Sequence, residues 1–264
     1  MELFGSIDIP KTCHFIYFYN DKSKRSTEWD LMRYIAIKSF SQENPDYAIN
    51  FYTNQQPVGE YWERASELCN LQMVEPETEI YGNRLYHPAH ISDVFRIRAL
   101  VKDGGVYCDF DTITIGSFTP LLKMNKFLVG DLGKKQLNMG NGVIVSPKES
   151  RYMDTWLNLY HGFRSKGRDE FWDELSVKAH AGLMKDPDLI GCSSILKSDY
   201  FYPISFYNTK PLYDELRLDK ITPNTVSVHL YDALNYKKIN QYTEAEIKDN
   251  PNITTYTHLV NRYL

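Results

Sequence analysis

The sequence predicts an α/β fold: a single Rossmann-type layer of the kind that binds nucleotides, with helices added to it. Three observations predict it. The chain opens strand–helix–strand, with apolar and aromatic runs at 12–19 and 47–53 around a helical pattern at 27–40. A second helical pattern, 90–102, runs through Gly104-Gly105 into another apolar strand at 106–113. The 264 residues are 42% hydrophobic, with no internal repeat and no low-complexity linker to mark a domain boundary.

Each element follows from its residues. TCHFIYFY, 12–19, is apolar enough for a buried first strand. In 27–40, Leu31, Met32, Ile35 and Ala36 recur at helical spacing, and Asn44-Pro45-Asp46 breaks the helix. YAINFYT, 47–53, is the second strand, and 58–70 a further helix. In 90–102, Ser92 is placed to cap the start, while Ile91, Val94 and Phe95 suit a buried face. Gly104-Gly105 ends this helix, because glycine takes a left-handed turn without steric penalty. Short strands are expected at 127–129 and 143–145, helices at 151–166 and 169–184, a late strand at 226–230, and helices at 244–248 and 254–264.

Composition narrows the function classes. The formal net charge of −4 carries no broad basic field, so no nucleic-acid partner is expected. Cys13, Cys69, Cys108 and Cys192 are scattered without a CxxC pair, which favours buried free thiols over a disulfide framework or a zinc site. Residues 1–10 lack a basic segment followed by an apolar run, and no stretch approaches the ~20 apolar residues of a membrane span. A cytoplasmic protein with no membrane span is the expectation, and the Asn252-Ile253-Thr254 sequon is read as chance. Twenty tyrosines suit sugar or base sites by their flat face and hydroxyl, although core and surface filling explains the same composition.

The strongest chemical signal is VYCDFDTI, 106–113. Strand side chains alternate faces, so apolar Val106, Cys108 and Phe110 point one way and Tyr107, Asp109 and Asp111 the other. Two acids on one face repel and lose hydration when partly buried. A divalent cation resolves both problems, and carboxylate oxygens suit Mg²⁺ or Mn²⁺. The bland alternative is a solvated or helix-capping pair. Asp93 and Arg96, three apart on the preceding helix, share a face; alone they would be an ordinary surface ion pair.

SDVFRIRALVKDGGVYCDFDT, 92–112, resembles the core of sugar-region DXD glycosyltransferases, in the pattern SD, two residues, R, a helix, GG, x, Y, x, D, x, D. It looks like glycosyltransferase family 32 and is similar to the catalytic domain of the large glucosylating bacterial toxins. IPKTCHFIYFYN, 9–20, resembles the first strand of these enzymes. The resemblance covers that strand and one central block, and the second half only loosely. It implies one GT-A-like domain with a mixed central sheet, 1–135 binding the nucleotide sugar and 136–264 forming the acceptor side and C-terminal part.

The resemblance also implies roles. Asp111 would ligate the metal directly, and Asp109 would bond the donor ribose and sugar while organising the metal region. Asp93 and Arg96 would hold hydroxyls of the transferred sugar, and Ser92 would reach the nucleotide. Tyr17 stands where the family often has Trp and would stack on the base, with the backbones of Ile16 and Phe18 bonding the base edge. Tyr107 would pack near base or ribose, or serve as an ordinary strand tyrosine. Asn141, in a glycine-bearing loop at 138–142, would face sugar or acceptor, against a simple turn.

TVSVHL, 225–230, repeats the alternation, with Val226, Val228 and Leu230 inward and Thr225, Ser227 and His229 outward. Family 32 carries a late His near the metal, followed by Ser-Trp. His229 fits the His, and LYDALNY lacks the Ser-Trp, so metal ligand and structural histidine stand as equal alternatives. His14, His87, His90, His161 and His180 form no ligand-spaced cluster, and Trp156 and Trp172 are expected in the core rather than at an acceptor.

The implied reaction is retaining transfer from a nucleotide-sugar donor to a glycan or other hydroxyl acceptor, with Mn²⁺ or Mg²⁺. UDP is favoured over GDP by the toxin likeness. Two alternatives stand beside it. One is a haloacid-dehalogenase-type phosphatase using DFDTI, with Asp109 as nucleophile; against it, Ile113 departs from that motif, which normally follows the first strand. The other is a non-catalytic nucleotide-sugar or carbohydrate-binding module.

Overall fold

The computed structural model describes residues 8–19, 26–133 and 138–264. The N-terminal segment 1–7 and Asn20 of the first-strand motif lie outside them. The strands are β1 (Thr12–Tyr17), β2 (Ala48–Thr53), β3 (Asn70–Met73), the short pair β4 (Glu79–Ile80) and β5 (Asn83–Arg84), β6 (Gly105–Cys108), β7 (Thr112–Thr114), β8 (Phe127–Asp131), β9 (Met139–Ser146), β10 (Ser193–Leu196) and β11 (Ser227–His229). Seven form one sheet in the order β10-β8-β9-β6-β1-β2-β3, and β7 pairs with β11 in a separate ladder. β1 runs parallel to β2 and β6, whereas β9 runs antiparallel to both β6 and β8. The sheet is therefore mixed, as the resemblance implied.

β1 and β6 lie at the centre and are buried on both faces, which is why their sequences are apolar without a polar register. On one face, Cys13, Phe15, Val106 and Cys108 meet α1 (Leu31–Glu43) and the α2 (Glu60–Ser66) residues Trp62 and Ala65. On the other, Ile16 and Tyr107 meet α3 (Pro88–Asp103). The shorter α4 (Thr119–Leu122), α5 (Arg151–Asn158), α6 (Ala179–Leu183), α7 (Lys210–Tyr213), α8 (Asp232–Ile239), α9 (Glu244–Asp249) and α10 (Thr255–Asn261) complete the layers. Cys13 and Cys108 are buried free thiols, as expected; Cys69 and Cys192 are half-buried and also free.

Several expectations need correction. The run 106–113 is not one strand: β6 stops at Cys108, and β7 begins at Thr112 after a turn at Asp109–Asp111. Thr112 Oγ1 donates to the Asp109 carbonyl at 2.7 Å and closes that turn. The α3 helix begins at Pro88, where proline loses no needed donor, and His87 rather than Ser92 caps it by accepting from the Ala89 N–H. Gly104 and Gly105 do end it, with φ of 66° and 102°. A Cβ at Gly105 would sit 2.3 Å from the Thr12 carbonyl oxygen, so β1 and β6 close up only over glycine.

Residues 138–142 are not a loop: Met139 onward belongs to β9. The helices expected at 151–166 and 169–184 are shorter, separated by a turn in which Asp169 accepts from Lys166 N–H and Phe171 N–H and Gly167 takes a φ of 134°. The strands β3 and β10 and the helix α8 were not expected. The first two are short and lack strong β-branched patterning, and α8 carries a non-helical kink at Asn235. Trp156 is wholly buried, as expected, but Trp172 is only half-buried.

Candidate active site

The β6–β7 turn does in three dimensions what strand alternation was expected to do. Phe110 goes into the core, its ring packed against Phe15, Trp29 and Phe51 with centroids 5.1–5.3 Å away. That anchor leaves Asp109 and Asp111 turned the other way, into a cleft also lined by Ile16, Tyr17, Ser92, Arg96 and Tyr107. The cleft opens beyond the C-terminal ends of parallel β1 and β6, where open α/β sheets bind their ligands.

His229 arrives from the far end of the chain by register. β11 pairs antiparallel with β7 so that His229 stands opposite Thr112, next to Asp111. The Leu230 N–H donates to the Asp111 carbonyl at 2.7 Å and extends the ladder. His229 Nε2 lies 3.4 Å from Asp111 Oδ1 and 3.7 Å from Asp109 Oδ2. One ligand atom from each of the three residues falls within 4.8 Å of the others. Two carboxylates and an imidazole form a donor set that suits Mn²⁺, and the carboxylates alone suit Mg²⁺. His229 Nδ1 accepts from the Tyr231 N–H at 3.1 Å, which places the ring proton of the neutral form on Nε2 between the acids. Ligation through Nε2 requires the other tautomer, with that proton on Nδ1 and the Tyr231 bond given up.

A bulge in β9 brings the next group. Val129 pairs with Ile144 and Gly130 with Gly140, so 141–143 are extra residues on β9. Asn141 Nδ2 donates to Asp93 Oδ1 at 3.0 Å, and the Gly142 carbonyl accepts from Asp109 N–H at 2.7 Å. A Cβ at Gly142 would meet His229 Nε2 at 2.6 Å and Asp109 Oδ2 at 2.9 Å, so the acids and His229 converge over a residue without a side chain.

Arg96 ties these groups together and is no surface residue. It and Asp93 are buried, with Arg96 Nη2 3.0 Å from Asp93 Oδ1 and 3.6 Å from Asp109 Oδ1. Nη1 donates to the Asn141 carbonyl at 2.6 Å, Nε to the Ser92 carbonyl at 3.4 Å, and the guanidinium lies over the Tyr107 ring. The Tyr107 hydroxyl in turn donates to Asp109 Oδ1.

The electrostatics follow. Burial pushes the Asp109 carboxyl up, but Arg96, His229 and the Tyr107 hydroxyl outweigh it and hold Asp109 below the usual carboxylate range. Burial raises Asp111, as does Asp109, against His229 and the Asp232 N–H. Burial also raises Asp93, against Arg96. The two acids of the turn thus have different environments: Asp109 is fixed by donors, while Asp111 is the one that gains most from a cation.

Of the residues singled out in the sequence, Ile16, Tyr17, Ser92, Arg96, Tyr107, Asp109 and Asp111 line the cleft. Asp93 and Asn141 stand behind Arg96, and Phe18 is buried against Phe95. Other residues at or behind the cleft were missed. Met32 and Asp232 line it, and the Asp232 N–H, at the start of α8, donates to Asp111 Oδ2 at 2.9 Å. Arg33 Nη2 donates to the Tyr17 hydroxyl at 2.7 Å, its guanidinium 4.5 Å from that ring's centroid. The one sequence signal among them was for Asp232, in the departure of LYDALNY from the family's tail.

Residues 22–128 match the family model described as glycosyltransferase sugar-binding region containing DXD motif. That block holds Asp93, Arg96, Asp109 and Asp111; Tyr17, Asn141 and His229 lie outside it. The chain is 28% identical over 164 residues to glucan organizing enzyme 1 of Cryptococcus neoformans var. grubii, a match covering 59% of this chain and 45% of that protein. It therefore spans about half the length of this curated relative. Among solved structures, the glycosyltransferase GlyE of Streptococcus pneumoniae TIGR4 matches with a TM-score of 0.54 and 14% identity, over 97% of this chain and 63% of that one. The catalytic domain of alpha-toxin from Clostridium novyi matches with a TM-score of 0.40 and 10% identity, over 58% of each chain. Over 22–128 the sequence is thus similar to the sugar-binding region of glycosyltransferases, and the fold of the whole chain is similar to that of GlyE. No helix among the described residues is long and apolar enough to cross a membrane.

Proposed function

We propose that this chain is a glycosyltransferase that moves a sugar from a nucleotide-sugar donor, a UDP-sugar, to a hydroxyl of a glycan, with retention at the anomeric carbon and with Mn²⁺ or Mg²⁺ held by Asp109, Asp111 and His229. The observation that carries this reading is the convergence of those three ligand atoms within 4.8 Å, two of them on a turn inside the family-matched block. The name of the matched relative favours a glucan among possible acceptors, and hence a part in polysaccharide biosynthesis. A cytoplasmic setting fits four free thiols.

When bound, the ion supplies positive charge against the donor's diphosphate and the leaving group. The chain's own residues do the rest. Tyr17 offers a ring for the base, with the backbones of Ile16 and Phe18 beside it. Ser92 and Tyr107 border the space for ribose, and Asp109 takes sugar or ribose hydroxyls on the side that Tyr107 leaves open. Arg96, already bonded by every nitrogen, acts chiefly by holding Asp93, Asp109 and the Asn141 backbone in one geometry. Asp93 and Asn141 then orient the transferred sugar, which removes rotational freedom from the barrier.

Asp109 is tied by Tyr107 and faced by Arg96, which lowers its reactivity as an enzyme nucleophile. Same-face attack by the acceptor hydroxyl, through an oxocarbenium-like state, fits that arrangement. We divide the roles so that residues 1–135 carry most of the donor site and 136–264 the acceptor side, with Asn141, His229 and Asp232 returning from the second part to the donor cleft.

The reading is tested with Asp111→Asn, which keeps the shape and removes the charge. Mn²⁺-dependent hydrolysis of a UDP-sugar is expected to vanish while the chain stays folded. Undiminished hydrolysis in this variant contradicts the metal role.

A further inference from the structure

A second pocket opens beside the donor cleft. It is lined by Arg168, Asp169, Trp172 and Ala233, and Ala233 also lines the donor cleft. A further link runs through α3: Ala89 of the donor cleft sits between His87 and His90, whose rings pack on Trp172 at centroid distances of 4.6 and 4.5 Å. His90 Nε2 donates to the Trp172 carbonyl at 3.0 Å, which fixes this segment against the helix that carries Arg96. Ala233 follows Asp232, whose N–H holds Asp111. From the second pocket to the acids is therefore a step of one residue along the α8 start.

We propose that this pocket binds the non-reacting sugar units of a glycan acceptor, with Trp172 as the stacking face and Arg168 as a hydrogen-bond donor to hydroxyls. The assignment rests on the glycosyl-transfer reading above. Its chemistry is that of a neutral, polyhydroxylated ligand. A pyranose presents a flat C–H face to an indole and hydroxyls around its rim. Trp172 is half-buried, with the rings of His87 and His90 packed against its indole. The Arg168 side chain is exposed, with its guanidinium 5.7 Å from the indole centroid, at the outer limit of a cation–π contact. The remaining charge, Asp169, is already engaged by the Ser165 hydroxyl and the N–H groups of Lys166 and Phe171, so it does not select for a cation. A glycan seated there would direct its terminal hydroxyl past Ala233 toward the acids.

The test is titration of the full chain with a panel of neutral tetrasaccharides, β-1,3-glucan, α-1,4-glucan and α-1,6-mannan fragments, read by calorimetry and by tryptophan emission. At least one member is expected to bind the wild type. Its affinity is expected to fall about tenfold in Trp172→Ala, to return most of the way in Trp172→Phe, and to fall less in Arg168→Ala, whose exposed position makes misfolding no explanation. Failure of every panel member to bind the wild type, or binding equally tight in all three variants, overturns the proposal; a peptide or protein acceptor would produce the first result. Wild-type hydrolysis of a panel of UDP-sugars with Mn²⁺, measured in parallel, separates the two readings. Its absence defeats the donor assignment, whereas its presence with glycan binding indifferent to Trp172 defeats the acceptor pocket alone.

Discussion

Gly142 and His229 meet in a space that excludes any side chain at position 142: a Cβ there would stand 2.6 Å from His229 Nε2. Gly142 has no left-handed backbone, so alanine is tolerated by the main chain and the cost falls on the site. Gly142→Ala is expected to displace His229 and Asp109 and weaken Mn²⁺ binding by at least about tenfold, with little loss of melting temperature. Calorimetric Mn²⁺ titration checks this, and unchanged affinity would mean that the three groups do not share an ion.

Tyr17, held by Arg33, forms the other end of the cleft. If Tyr17 stacks on the base and Arg33 holds its ring, Tyr17→Ala and Arg33→Met should both raise donor KM, by about tenfold, with a smaller change in kcat. Steady-state kinetics with varied UDP-sugar measures the split. An unaltered KM in Tyr17→Ala removes that ring from the base site.

Phe110 anchors the turn that aims both acids. Its ring is buried among Phe15, Trp29 and Phe51. Phe110→Ala is expected to cost about 3–5 kcal/mol of stability by leaving a cavity, and activity should fall beyond what the folded fraction explains. Chemical denaturation and activity per folded molecule are the measurements. A loss under ~1 kcal/mol would show the turn to be held by other contacts.

Much of this site is legible in the sequence, because its local part rests on short-range rules. The alternation of Val106, Cys108 and Phe110 against Tyr107, Asp109 and Asp111 gives the facing of the acids even though the strand itself breaks at Cys108. The three-residue spacing of Asp93 and Arg96 gives their pairing, and Gly104-Gly105 the close approach of β6 to β1. Three contributions are not local. The pairing of β7 with β11 joins residues more than a hundred apart and carries Asp232 in with His229. The β9 bulge that aims Asn141 is a tertiary feature of a segment whose glycines read as a loop. Arg33 sits in a helical run where a charged residue reads as solvated, yet it is buried beneath Tyr17.

His180 gives the pH dependence of stability. It is buried, its Nδ1 bonded to the Tyr152 hydroxyl at 2.9 Å, and burial lowers its pKa from 6.5 to about 3. The unfolded chain binds this proton near pH 6.5 and the folded chain does not, so the stabilisation is complete above that pH and is lost as pH falls toward 3. The contribution approaches about 1.4 kcal/mol per pH unit within that window. His180→Gln, neutral throughout, should flatten the fall of melting temperature between pH 6.5 and 4. Parallel curves for the two proteins would assign the acid sensitivity elsewhere.

The most direct test of the whole account is calorimetric binding of UDP to the wild type and to Asp111→Asn, each with and without Mn²⁺. A shared ion predicts tight binding only for wild type with Mn²⁺, and weak, metal-indifferent binding for the variant. Equal UDP affinity in all four samples would contradict a metal bridge between Asp109, Asp111, His229 and a diphosphate.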